Sequence, residues 1–354
     1  MGLKIYQKYI TIIFLKNFFI IFSALQLFYL GIDLMQHFKR LPDSANLQIL
    51  YAMYTFLNAI NFTLPISLVF AMIISKFYII RSNELIAMYA LGISKNALIK
   101  PIFLSSIIVV ILYVALNFTN FAYSKEYAYN ILTNSSVSNI STNLFLKYFN
   151  NYIYIDKLNP VKKEALGVKI FKIKNKDLKV IIDAKSANFI KNYWILNDLE
   201  IIHKPSVLKK GAKLSKEYFK HYKTLKEFKP KIIENLYEGT SNFSVVDALL
   251  AIRLFLSQNV NIQKIKASLF ALLVFPFFAP LFNLILFYYL PISNRFFNLA
   301  LVSSIFIFIT LVSWGILLML VKMSMNATIN PDIGIILPIA ILSIFSIYLH
   351  YKNK

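Results

Sequence analysis

The sequence predicts a polytopic α-helical membrane protein, with six transmembrane helices and an antiparallel β domain inserted between the third and fourth. Two observations carry this. Of 354 residues, 58% are hydrophobic and the mean hydropathy is +0.61, whereas soluble domains hold roughly 45–50% apolar residues. The apolar residues also collect in six long runs that flank a polar central region.

A spanning helix takes about 20 mostly apolar residues, because the hydrocarbon layer is about 30 Å thick and each residue rises about 1.5 Å. The runs are Ile10–Met35, Leu50–Ile80, Ala97–Tyr123, Ile265–Leu290, Asn298–Val321 and Ile333–Leu349. The first is too long for a secretory signal, and no small-x-small cleavage site follows it. Lys4, Lys8 and Lys16 interrupt its opening turns, which places Leu3 to Phe14 partly in the membrane interface.

Loop charges orient the chain. Lys4 and Lys8, then Arg81, Lys95 and Lys100, then Arg295, then the tail Lys352–Lys354 fall on one side. The opposite loop Met323–Asp332 has no Lys or Arg, with Lys322 at its edge, and Lys39 and Arg40 are the exception. Basic loops stay cytoplasmic, so both termini are expected inside and the β domain on the extracytoplasmic side. The expected division is 1–123 for helices one to three, with a short cytoplasmic helix at 82–92; 124–242 for the β domain; and 243–354 for an amphipathic helix and helices four to six.

In the central region Tyr152–Ile155, Val168–Ile173, Lys179–Phe189 and Tyr193–Ile202 are short runs rich in Ile, Val, Phe and Tyr, bounded by turn residues. Lys191-Asn192 reads as a tight hairpin turn. Alternation is imperfect, since Ile170 and Phe171 are adjacent, which predicts a bulge or a sheet covered on both faces. Phe243–Asn259 reads as an amphipathic helix on the outer membrane surface, with Val246, Leu249, Leu250 and Leu254 on one face, Ser244 as its cap and Asp247 at its positive end.

The formal net charge of +22 admits nucleic acid, anionic lipid or an acidic ligand as partner, or a composition biased towards Lys, Asn, Ile and Phe with no selected role. Six spans leave no nucleic-acid partner expected. Without cysteine there are no disulfides, zinc thiolates or Cys nucleophiles. Eight scattered glycines and no G-x-x-x-x-G-K-[ST] leave no cradle for nucleotide phosphates, so the chain is not expected to be an ATPase or other enzyme. Four scattered histidines predict no metal site, and no cofactor is implied.

The most informative segment runs from Arg81 to Ser94. Ser82 suits a helix N-cap, Glu84 the first turn, Gly92 a left-handed C-cap and Ser94 the cap of the next helix. The result is a short helix between two spans whose Leu85, Ile86, Met88 and Tyr89 need a surface to cover them. That surface is either the membrane or a groove of a cytoplasmic ATPase.

Glu-Leu-Ile-Ala-Met-Tyr-Ala-Leu-Gly-Ile-Ser, residues 84–94, resembles the signature of the LptF/LptG (YjgP/YjgQ) permease family. Pro65 within Phe62-Thr63-Leu64-Pro65-Ile66-Ser67 is similar to that family's second-span proline. Ala184-Lys185-x-Ala187-x-Phe189 and Trp194-x-Leu196-x-Asp198 resemble its periplasmic sheet. The likeness covers essentially the whole chain. Phe228-Lys229-Pro230 and the Pro331…Pro338 spacing bring it closer to LptG.

The resemblance implies a jellyroll-like β domain and a permease subunit of an ABC transporter that extracts lipopolysaccharide for outer-membrane biogenesis. It implies an LptB-like ATPase dimer, an LptF-like paralogue as heterodimer partner and an LptC-like bitopic protein. Glu84, Leu85, Ile86, Met88, Tyr89 and Gly92 would then couple to the ATPase. Lys39 and Arg40 would meet substrate phosphates, or else snorkel to the headgroups. Asp33, where relatives can carry a base, would repel phosphate, or pair with Lys39, Arg40 or a partner's base, or be solvated. The competing readings are a scaffold or sensor whose β domain binds a periplasmic partner, and a channel or secondary transporter. The near absence of mid-span charge argues against an ion path.

Overall fold

The computed structural model describes residues 4–134, 136, 140–149, 151–174, 177–205, 214–238, 243–256, 261–293 and 298–353. Arg295 and Lys354, two of the orienting charges, and Asn259, the expected end of the amphipathic helix, lie outside them. Among the described residues six helical segments are long and apolar enough to cross a membrane. A six-stranded antiparallel sheet lies between the third and fourth of them.

The first three spans are α1 (Ile5–His37), α2 (Ala45–Arg81) and α4 (Lys95–Leu116), with a short α3 (Glu84–Ala90) between the last two. α1 is unbroken from Ile5, so the interfacial start expected at Leu3–Phe14 is the first part of one long helix, with Ile10, Phe14 and Phe18 buried. α2 continues through Pro65, which is buried within it. Beside the proline, Thr63 and Ser67 donate their hydroxyls to the carbonyls of Ala59 and Thr63, at 2.9 and 2.7 Å, an i−4 back-bond that softens a helix locally.

α4 stops at Leu116 rather than at Tyr123. The Asn117 amide turns back onto the Tyr113 carbonyl, 2.9 Å away. Thr119 then caps a 3-10 turn, Asn120–Tyr123, that leads into α5 (Ser124–Asn134). The fourth span is α8 (Gln263–Leu273) and α9 (Phe278–Tyr289), joined by a 3-10 turn at Phe275–Phe277. Pro276 and Pro280 supply no backbone donor there, which interrupts the α-helical ladder. The fifth span is α10 (Leu299–Met325); the sixth opens with a π-helical turn, Asp332–Ile336, before α11 (Leu337–Lys352).

The sheet runs in sequential order: β1 (Ser141–Tyr148), β2 (Asn151–Asn159), β3 (Glu164–Lys174), β4 (Asp177–Ile190), β5 (Tyr193–His203) and β6 (Ser215–Thr224). β2 to β5 contain the four expected strands; β1 and β6 were not foreseen. The Lys191-Asn192 turn forms as expected, with φ of 48° and 70°, the double left-handed geometry that matches strand twist.

The sheet departs from strict alternation in two places: the β3–β4 register shifts between Lys172 and Ile173, close to the irregularity expected at Ile170–Phe171, and a second break crosses every strand. Asn143, Asp156, Gly167, Lys185, Asp198 and Lys220 stand opposite one another in one row across all six strands. Three of them, on alternate strands, are left-handed: Asn143 (φ 56°), Gly167 (φ 61°) and Asp198 (φ 47°). The inward set changes phase across this row, from Ile153 and Ile155 to Leu158 on β2, and from Leu196 to Leu199 on β5. The row is therefore a crease that lets one apolar face continue on both sides. Gly167 is required there, since a Cβ at that position would lie 2.8 Å from Asp156 Cβ.

The inner face is filled by α6 (Pro230–Glu238), α7 (Val245–Leu256) and the start of α8. α7 buries Val245, Ala248, Ala251, Leu254 and Phe255, while Val246 and Leu249 are exposed. The expected apolar face is therefore wrong. The two alanines bring the backbone close to the sheet core, so Val246 and Leu249 of the expected face turn outward while Leu254 stays on the buried side with Phe255. Ser244 caps α7 as expected, accepting from the Asp247 amide at 3.2 Å.

Candidate functional site

The segment from Arg81 to Ser94 is a rigid corner. Ser82 does not cap α3; its hydroxyl donates back to the Tyr78 and Ile79 carbonyls, closing α2. Asn83 takes the cap position instead, at a left-handed φ of 59° that a short polar side chain tolerates. At the other end Gly92 (φ 78°) and Ile93 donate to the carbonyls of Tyr89 and Met88 at 2.9 and 3.1 Å, the paired bonds of a Schellman cap. Ser94 caps α4, accepting from the Ala97 amide at 3.3 Å.

Two contacts fix how α3 faces. Tyr9 of α1 donates to Glu84 Oε2 at 2.8 Å. Leu85 is 2% exposed in the helical core, with Met88 and Tyr89 packed against that core. Leu85 is thus an internal anchor, not the open apolar residue the sequence suggested. Burial and the neighbouring Tyr288 push the Tyr89 phenol up to about 12, so it stays neutral. The outward face is made by Ile86, 44% exposed, and Leu91, 79% exposed, with Ala87 and Ala90 between them.

Behind this corner lies a buried cation. Lys76 is 3% exposed. Its ammonium donates to the carbonyls of Phe287 and Leu290 at 2.5 and 2.8 Å and sits 4.3 Å from the centre of the Phe287 ring. It fills the carbonyl end of α9, where a helix dipole favours positive charge. Nearby, Tyr288 donates to Asn96 at 2.5 Å and Asn96 to the His350 carbonyl at 3.0 Å. The start of α1, the corner at α3 and the last turns of α9 and α11 thus gather at one end of the molecule, opposite the sheet.

Lys39 and Arg40 lie in the 3-10 turn Phe38–Arg40 after α1, both exposed and without an ion pair among the described residues. Asp33 does not pair with them. It accepts from the Tyr51 phenol, and His37 Nδ1 lies 3.4 Å away. A cavity of 580 Å³ opens below this cluster between α1, α2 and α10, lined by Phe28, Ile32, Phe62, Phe70 and Trp314, with Asp33 at its polar end. Acyl chains suit such walls better than ions.

Residues 8–352 match the family model described as lipopolysaccharide export system permease LptF/LptG. The chain belongs to that family. No curated protein matches it in a sequence search. As an LptF/LptG permease it is a multi-pass membrane protein that serves lipopolysaccharide export, and the expected family is shown over nearly the whole chain. The match does not divide LptF from LptG. Three residues of this permease escaped the sequence reading: Tyr9, Lys76 and Leu91. Lys76 alone left a signal, as a charge inside an apolar span, which seldom occurs without a partner.

Proposed function

We propose that this permease is the membrane-spanning half of an ABC transporter that lifts lipopolysaccharide from the inner membrane and hands it to a periplasmic β bridge. A separate LptB-like ATPase dimer supplies the energy by docking on α3. The observation that carries this reading is the corner itself: an exposed Ile86–Leu91 face on a helix closed by a Schellman turn and tied to α1, α2 and the core. Lys4, Lys8, Arg81 and Lys100 lie at the same end, which supports cytoplasmic termini and a periplasmic sheet. An LptF-like paralogue would close the cavity between α1 and α10, and an LptC-like protein would extend the bridge. Lys39 and Arg40, uncompensated at the outer end of α1, would receive lipid phosphates.

Glu84→Lys tests the docking. Complex formation or ATPase coupling should be lost while the chain still inserts. Normal coupling would remove the coupling helix from the account and favour the scaffold or sensor reading. Mild-detergent copurification decides which paralogue this is.

A further inference from the structure

Where the sheet meets the membrane helices there is a cleft of 520 Å³ lined by four lysines, Lys163, Lys191, Lys229 and Lys231. Two of them are committed. Lys229 donates to Asp247 Oδ1 at 2.6 Å, and Tyr123 donates to the other oxygen of the same carboxylate at 2.5 Å. Lys231 bonds Glu126 and Glu234. Four cations thus face three carboxylates, and the carboxylates are gathered at the α5–α6–α7 side.

The opposite rim is different. Lys163 and Lys191 stand on the tips of the β2–β3 and β4–β5 hairpins and form no ion pair among the described residues. Both are left-handed, at φ 59° and 48°, so the turns that present them have little freedom. The tips are also stitched in place. The Phe189 amide donates to the Lys163 carbonyl at 2.9 Å, and the Glu227 amide to the Asn192 carbonyl at 2.8 Å. The Tyr127 phenol lines the same space. Burial and the Glu126 carboxylate push it up to about 12, so it remains a hydrogen-bond donor.

We propose that this cleft binds a phosphate-bearing headgroup, with Lys163 and Lys191 clasping the phosphate and Tyr127 and the Asn192 amide donating to its sugar or glycerol hydroxyls. Two lysines presented by fixed turns and facing donors of neutral charge suit a compact anion with attached hydroxyls. A carboxylate-rich peptide would meet Asp247 on the far wall. The phosphate has two possible sources, the exported glycolipid and a bilayer phospholipid. The inference uses the export reading only in naming the first source. It is read without the ATPase, so its failure leaves the docking proposal standing, and the reverse also holds.

The test is calorimetric titration of the full-length chain in dodecyl maltoside, which carries no phosphate. The probes are deacylated lipopolysaccharide, the same material after phosphatase treatment, and glycerophosphoglycerol. The phosphorylated saccharide should bind, its dephosphorylated form should not, and Lys163→Glu with Lys191→Glu should weaken binding about tenfold or more. Lys185→Glu with Lys220→Glu, an equal charge change on exposed sheet lysines outside the cleft, should alter it less than about twofold. Lys163→Gln with Lys191→Gln should weaken it too, which guards against misfolding of the charge-reversed chain. Equal binding of glycerophosphoglycerol would assign the site to bilayer phospholipid; preference for the saccharide would assign it to cargo. No binding of either phosphate, or equal weakening by the control pair, would overturn the proposal.

Discussion

Tyr9 and Glu84 meet across 75 residues of chain, the phenol donating to the carboxylate at 2.8 Å. The first helix therefore holds the first turn of α3, and one carboxylate oxygen is engaged before any partner arrives. This bond links α3 directly to α1, and α1 forms one wall of the apolar cavity.

Tyr9→Phe should leave the fold nearly unchanged, costing about 1 kcal/mol or less, because water replaces the phenol at this exposed site. Lipopolysaccharide-stimulated ATP hydrolysis in the reconstituted complex should fall roughly two- to fivefold, the rate equivalent of about 0.5–1 kcal/mol. Undiminished stimulation would mean that Glu84 keeps its orientation without Tyr9.

Leu85 and Leu91 should separate stability from docking. Leu85→Ala removes a fully buried side chain and should cost about 2–4 kcal/mol, seen as a lower unfolding temperature in detergent. Leu91→Glu changes an exposed position and should alter stability by less than about 0.5 kcal/mol. It should weaken ATPase association roughly thirtyfold if Leu91 is a central contact. Retained association in Leu91→Glu would move the docking face elsewhere.

Lys76→Met keeps the length of the side chain but leaves the Phe287 and Leu290 carbonyls without their donor. The expected loss is about 1.5–3 kcal/mol, typical of a buried hydrogen bond to a charged group. Thermal unfolding of the variant at the wild-type temperature would show that the cap is replaceable.

Gly167→Ala adds a Cβ 2.8 Å from Asp156 Cβ, at a φ of 61°. Steric overlap and left-handed strain together should cost about 2–4 kcal/mol. Hydrogen exchange should rise in β2 and β3 while the helical spans remain protected. Unchanged exchange there would mean the crease tolerates a side chain.

The spans were legible because length and hydropathy decide them with little help from context. Gly92 and Lys191-Asn192 were legible because left-handed positions restrict residue choice. β6 was not, since Ser215–Thr224 is a charged, mostly exposed edge strand, and its composition carries no pattern of burial. The orientation of α7 was missed because close packing brought Ala248 and Ala251 inward beside Leu254 and left Val246 and Leu249 outside. Ser82 was assigned to the wrong helix because a serine between two helices can serve either, and only the backbone of Asn83 decides. Leu85 read as open surface because sequence cannot tell which side of a short helix the rest of the chain will cover. The crease was not seen, since its residues come from six strands and align only once the register is set.

The Lys76 bond also imposes an order on synthesis. Its acceptor at Phe287 lies 211 residues further along the chain. At about 5–20 residues per second the ribosome needs roughly 10–40 s to reach it. Through that interval α2 is already made, and its ammonium has no carbonyl to hold. Lys76 lies within two turns of the helix end at Arg81, near enough for its long stem to reach the headgroups and wait there. The bond can close only once the fourth span has been made, so this joint between the two halves of the membrane domain follows synthesis of the sheet between them.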